Sequence, residues 1–145
     1  MTKTSSTIIL SASPETVWAT LARFEDVAQW GRGVSQSSLL GEVSSGVGAV
    51  RRVQVGRAAL RETVIEWEPS RALAYTIEGL PAVVRSASNS WRLTAHGTGT
   101  SVTLTGEVST KVGRVLDAIV ARKIGSANRE LLTGLEHQLR TVEPA

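Results

Sequence analysis

The stretch TKVGRVLDAIVARKIGSANRELLTGLEHQL, Thr110 to Leu139, decides how the rest of this chain must be arranged. Val112, Val115/Leu116, Ile119/Val120, Ile124, Ala127, Leu131, Leu135 and Leu139 recur at three- and four-residue steps. Side chains return to one face of an α-helix every 3.6 residues, so this spacing predicts one long amphipathic helix. No proline interrupts it, and at 1.5 Å per residue it would span roughly 45 Å. A helix with one apolar stripe must bury that stripe against something. The β-rich middle of the chain is the only segment of matching size, which predicts a long helix gripped by a curved sheet.

The chain has 145 residues, enough for one compact domain with a single core, expected to span residues 1–145. Its composition is that of an ordinary globular protein. The opening MTKTSSTIIL has one lysine and three consecutive apolar residues, too few for a signal-peptide core. Nothing later approaches a membrane span, so membrane insertion is not expected. The absence of cysteine excludes disulfides, iron–sulfur clusters and thiol catalysis, and suits a cytoplasmic location. The formal charge of +3 is mild, and acids are interspersed among the arginines. Without a dense Lys/Arg cluster interleaved with aromatics, a solvated basic surface is expected rather than a nucleic-acid site.

From the N-terminus, Thr4 to Leu10 reads as a short β-branched strand. Ser13 is placed to cap a helix whose first turn holds Pro14, with Val17, Trp18 and Leu21 on its apolar side. A second short helix, Phe24 to Trp30, ends at Gly31-Arg32-Gly33. The pair reads as a plug over one end of a sheet, since helices this short need such packing. Strand patterns follow at Ser37–Val43, Ala49–Val55, Ala59–Trp67, Ala72–Ile77, Val83–Ala95 and Thr100–Val108, separated by turns rich in glycine and proline. Short turns imply an antiparallel meander of roughly seven strands.

Alternation assigns the faces. Val102, Leu104, Gly106 and Val108 share one side of the last strand. Arg85, Ala87, Asn89, Trp91 and Leu93 travel together, as do Arg51, Val53 and Val55, and Leu73, Tyr75 and Ile77. The strand Ala59–Trp67 is ambiguous: Leu60, Glu62 and Val64 oppose Arg61, Thr63, Ile65 and Trp67. An inward face that collects Arg51, Tyr75, Arg85 and Asn89 is not purely core. Such groups must be paired, hydrated or lining a cavity, and a mostly apolar wall with a few polar groups is the composition of a ligand pocket. Gly125, in the Gly-Ser-Ala stretch of the long helix, leaves two readings open: a hollow beneath the helix, or a kink or close strand approach.

The element order resembles the START-like, helix-grip superfamily. The segments ASPETVW (Ala12–Trp18), FEDVAQW (Phe24–Trp30), VGAVRRV (Val47–Val53), LRETVIEWEPSRALAYTIEG (Leu60–Gly79) and WRLTAHGTGTSVTL (Trp91–Leu104) carry the likeness. Within the superfamily the chain is most similar to the bacterial polyketide cyclase/dehydrase-type branch, the SRPBCC proteins. The resemblance implies an α+β helix-grip fold in the order β-α-α-β6-α. In that fold a seven-stranded curved antiparallel sheet and a long C-terminal helix enclose a cavity for apolar or aromatic small molecules and lipids. It also implies that the glutamate of the E-x-V-x-x-x-x-P pattern, Glu62, faces inward with Leu60 and Val64. The ligand-binding set is then Arg51, Val53, Val55, Leu60, Glu62, Val64, Tyr75, Ile77, Arg85, Asn89, Trp91 and Leu104 from the strands, with Ile124 and Ala127 from the helix.

Most catalytic chemistry is poorly served. His96 lies in a glycine-bounded turn and His137 off the apolar stripe, so no metal site and no Ser-His-acid arrangement is expected. There is no phosphate-binding glycine loop, and no cofactor is expected. What remains is proton chemistry. A carboxyl buried among apolar groups is suited to moving a proton near neutral pH, which makes Glu62 a candidate, with Tyr75 as donor to a carbonyl. Alternatively Arg51 and Glu62, on neighbouring strands, pair with each other. Trp18 and Trp30 read as packing, whereas Trp91 is open between packing and ligand contact. Three function classes stand: a carrier of a hydrophobic or aromatic small molecule or lipid, a cofactor-independent polyketide cyclase, dehydratase or isomerase, and a ribosome- or protein-associated module. The last would use Lys111, Arg114, Arg122 and Arg129 on the outer helix face. Neither the ligand nor the oligomeric state is written in the sequence.

Overall fold

A computed structural model describes residues 1–142, so the last three residues of the expected 1–145 domain lie outside the described residues. Seven strands form one antiparallel sheet: β1 (Thr2–Leu10), β2 (Val34–Leu40), β3 (Val50–Val55), β4 (Ala58–Glu68), β5 (Ala72–Glu78), β6 (Val84–His96) and β7 (Gly99–Thr110). Their spatial order is β1-β7-β6-β5-β4-β3-β2. Consecutive strands from β2 to β7 are neighbours, as short hairpin connections require, and β1 closes the other edge against β7. Helix α1 (Pro14–Ala22) and a 3-10 helix (Phe24–Gln29) intervene between β1 and β2, and α2 (Arg114–Val142) follows β7. This is the helix-grip fold.

Local chemistry explains the boundaries. Ser13 Oγ accepts the Thr16 N–H at 3.2 Å, and Pro14 opens α1 where no backbone donor is needed. Strand β2 begins at Val34, earlier than its sequence pattern predicts, and Ser37 within it is anchored beneath the 3-10 helix. Its Oγ donates to Glu25 O at 2.7 Å and accepts the Ala28 N–H at 3.0 Å. Helix α2 starts at Arg114 rather than Thr110, since β7 runs through Thr110 and Gly113 turns at a φ of 129°. The Asp117 carboxylate locks this corner by accepting both the N–H and the hydroxyl of Thr110. Those bonds hold the Asp117 pKa below the ordinary carboxylate range.

The helix stripe is accordingly shifted. Val112, Val115 and Ile119 are exposed, and the buried face runs through Asp117, Ala121, Gly125, Asn128, Leu132, Leu135 and Leu139. Gly125 settles as a close approach: a Cβ there would stand 2.8 Å from Thr4 Oγ1 of β1. Of the two readings left open at Gly125, the hollow is not found, because the glycine draws helix and edge strand together. At the other end of α2, Leu132, Leu135 and Leu139 join the main core with Val17, Phe24, Leu73 and Trp91. The N-terminal half covers a smaller cluster of Ala87, Val108 and Ala121.

Candidate functional site: a cavity beneath the C-terminal helix

Between the two apolar clusters the sheet and α2 enclose a cavity of about 440 Å³. Most sequence-expected site residues converge there. Arg51, Val53 and Val55 of β3, Leu60 and Glu62 of β4, and Tyr75 and Ile77 of β5 line one wall. Asn89 of β6 and Ile124 and Ala127 of α2 complete it. Val64, Trp91 and Leu104 are buried in the main core but do not line the cavity. For Trp91 this decides in favour of packing.

Arg85 is a correction. The β6–β7 register slips between Val84 and Ser86, so one residue of β6 is extra. Such a bulge reverses the alternation. Val84 points into the cavity and Arg85 is exposed. A second bulge resolves the ambiguous strand: register slips between Val64 and Glu66, leaving Ile65 54% exposed. Leu60, Glu62 and Val64 face inward before it. After it Trp67 turns inward as well, its ring centroid 5.1 Å from that of Trp18.

The polar part of the wall is organised in two groups. Arg51 and Glu62 are directly opposed on β3 and β4, and Arg51 Nε donates to Glu62 Oε1 at 2.7 Å. Arg51 Nη1 donates to Phe24 O at 2.7 Å, and the guanidinium lies over the rings of Phe24 and Tyr75 at 3.9 and 4.7 Å. Both charges are nearly excluded from water, so each depends on the other. The second group is neutral. Asn89 and Asn128 exchange side-chain amide hydrogen bonds of 3.1 and 2.9 Å between β6 and α2. The Tyr75 hydroxyl accepts from Trp91 Nε1 at 3.2 Å and from Asn89 Nδ2 at 3.4 Å.

Two donors therefore face one hydroxyl, and among the described residues no acceptor takes the Tyr75 proton. Burial pushes the Tyr75 pKa up and the Glu62 charge adds to it, against the smaller opposing effects of Arg51, Trp91 and Asn89. The phenol is thus neutral, with its hydroxyl held by Trp91 and Asn89 at the cavity wall. Asn128 is a site residue that the sequence reading missed. The signal was present, because a polar residue four after Ile124 and three before Leu131 falls on the apolar stripe.

The mouth lies where lining residues meet solvent: Arg32 and Gly33 before β2, Pro81 between β5 and β6, and Lys123, Ala127 and Glu130 on α2. Gly106 sets the depth from below. A Cβ at that position would come within 2.6 Å of Ile124 Cγ2 and 3.1 Å of Asn128 Nδ2, so helix and sheet touch beside the cavity.

Residues 1–140 match the model of a protein family described as polyketide cyclase/dehydrase and lipid transport. The chain belongs to that family. Among solved structures, this family member is similar to the protein XoxI from Bacillus cereus, with 17% identity, full coverage of both chains and a TM-score of 0.83. A START superfamily protein from Mycobacterium smegmatis gives 16% identity and a TM-score of 0.77, covering 97% of this chain and 98% of that one. The di-domain ARO/CYC StfQ of the steffimycin biosynthetic pathway gives 11% identity and a TM-score of 0.77 over 93% of this chain and 49% of its own. At these identities the likeness is one of fold. A sequence comparison with curated proteins finds no match. No helix among the described residues of this cyclase/dehydrase family member is long and apolar enough to cross a membrane.

Proposed function

We propose that this protein binds a hydrophobic or aromatic small molecule or lipid in the cavity between sheet and C-terminal helix, acting as one domain in the cytoplasm. The observation that carries this reading is the composition of the wall: aliphatic side chains from five strands and α2 around a volume of about 440 Å³. Small-molecule pockets occupy the range of roughly 300–1,000 Å³ and combine such walls with a few fixed polar groups. The ion pair is already satisfied, so the Tyr75 hydroxyl, whose proton meets no acceptor among the described residues, favours a ligand with one acceptor oxygen, such as a carbonyl, on an otherwise apolar body. Native mass spectrometry of the purified protein, followed by extraction, tests the reading. A retained apolar molecule, displaced by a hydrophobic fluorescent probe, is expected. Probe binding that survives filling the cavity with Val55→Trp would sink it.

The same Tyr75 donor favours a second reading, a cofactor-independent cyclase, dehydratase or isomerase. A phenol that hydrogen-bonds a carbonyl stabilises the oxyanion or enolate developing there. Glu62 would supply the acid–base group, working from within its pair with Arg51. Glu62→Gln separates the readings: retained affinity with lost turnover of a polyketide-like substrate assigns catalysis, and retained affinity without any turnover in the parent protein leaves a carrier.

A further inference from the structure

The start of α2 carries side chains that core packing does not explain. Val112, Val115 and Ile119 are 71%, 79% and 52% exposed. Val115 and Ile119 are one turn apart, so they share a face, opposite the buried Asp117 and Ala121. Lys111, Arg114 and Arg122 surround them and are exposed. The acid within residues 111–123 is Asp117, whose carboxylate is buried and spent on Thr110. This segment therefore presents apolar groups and cations with no exposed carboxylate of its own.

The patch adjoins the cavity mouth. The Lys111 N–H donates to Val83 O at 2.9 Å, and Val83 lines the cavity with its turn neighbours Leu80 and Pro81. On the helix, Lys123 lies four residues after Ile119 and also lines the cavity. Apolar side chains rimmed by lysine and arginine form the residue mixture of helices that lie on lipid surfaces. A nucleic acid would match the cations but give Val115 and Ile119 nowhere to go. An anionic bilayer offers both a negative surface and an apolar layer beneath it.

We propose that the face formed by Val112, Val115 and Ile119 with Lys111, Arg114 and Arg122 docks on an anionic lipid bilayer, setting the cavity mouth against the membrane. The docking gains its purpose from the cavity reading above, since an apolar ligand then passes between bilayer and cavity without crossing water. Docking and cavity binding are nevertheless separate measurements, because none of these six residues lines the cavity.

Vesicle flotation of the full chain tests it, with phosphatidylcholine alone and phosphatidylcholine mixed with phosphatidylglycerol. Flotation with the anionic vesicles only, reversed by salt, is expected. Each cation near an anionic surface contributes about fivefold in partitioning, so Arg114→Ala/Arg122→Ala should lower it roughly 25-fold. Val115→Asp/Ile119→Asp should abolish flotation while displacement of a hydrophobic probe from the cavity is unchanged. Equal flotation with neutral vesicles, indifference to Val115→Asp/Ile119→Asp, or no flotation at low salt overturns the proposal. So does salt-sensitive capture of RNA or a ribosome without flotation, or a dimer that Ile119→Asp dissociates, since either assigns the face to another partner. Flotation by a protein whose cavity takes no probe leaves docking standing and removes the ligand reading instead.

Discussion

Arg51 shows how one residue ties the plug, the sheet and the cavity together. Its guanidinium serves Glu62, the Phe24 carbonyl and two aromatic faces at once, so the β3–β4 hairpin is bound to the helical segment that caps it. Removing one partner of a buried ion pair leaves the other charge uncompensated. Glu62→Gln should therefore destabilise the fold by about 3 kcal/mol, whereas Arg51→Met combined with Glu62→Leu should recover most of that loss. Urea denaturation of the three variants measures both; equal losses for single and paired replacements would refute the coupling. Tyr75 gives a pH signature. Its folded pKa lies above the ordinary value of 10.0, so the stability it contributes is fully present below that pH. The contribution is lost as pH rises through the higher folded value. Melting temperature should fall more steeply above pH 10.0 in the parent protein than in Tyr75→Phe.

At the scale of elements, two bulges and three glycines did what residue alternation cannot. The bulge at Ile65 lets Glu62 and Trp67 face the same way, and the bulge at Arg85 turns an arginine outward and Val84 inward. The glycines of α2 and β7 are contact positions. Gly134 is the sharpest case: helix propensity alone predicts that Gly134→Ala stabilises by about 1 kcal/mol. A Cβ there, however, would sit within reach of a clash with the Trp30 carbonyl oxygen and 2.9 Å from Arg32 N, both backbone atoms. Overpacking of this kind costs about 1–3 kcal/mol, so the substitution should lower the melting temperature instead. At the other end of α2, the Asp117 pKa is depressed by Thr110, so its anchoring of the helix start is present above pH 3.8 and fades as pH falls below it. Asp117→Asn should remove that acid-sensitive part. Hydrogen exchange at Thr110 across an acid titration reads it directly, and an unchanged profile in the variant would contradict the assignment.

For the whole molecule, the cavity exists because α2 rests on β1 and β7 and leaves space over the inward faces of β3, β4 and β5. Leu132, Leu135 and Leu139 fasten one half, Ala121 and Gly125 the other, and the Asn89–Asn128 pair bridges the gap with satisfied amides. Filling empty volume adds contacts without displacing a packed neighbour. Val55→Trp should therefore leave melting within a few degrees of the parent, a change of about 1 kcal/mol, while eliminating probe binding. Loss of fold with loss of binding would mean that the space is already occupied by structure.

The sequence by itself determined the element order, the helix-grip arrangement and the inward phase of β3, β5 and β7. Those follow from hydrophobic periods of two and 3.6, which are properties of the chain alone. It also brought Arg51 and Glu62 to facing strands. The tertiary structure alone decided that Arg85 leaves the cavity, that Val64, Trp91 and Leu104 belong to the core, that Gly125 is a contact and that Val115 and Ile119 stay exposed. A bulge shifts phase by one residue without marking the sequence, and a glycine's neighbour is set by a segment more than a hundred residues away, as Thr4 is for Gly125. Periodicity tells a side chain which way to face; what it meets there depends on how the surfaces close.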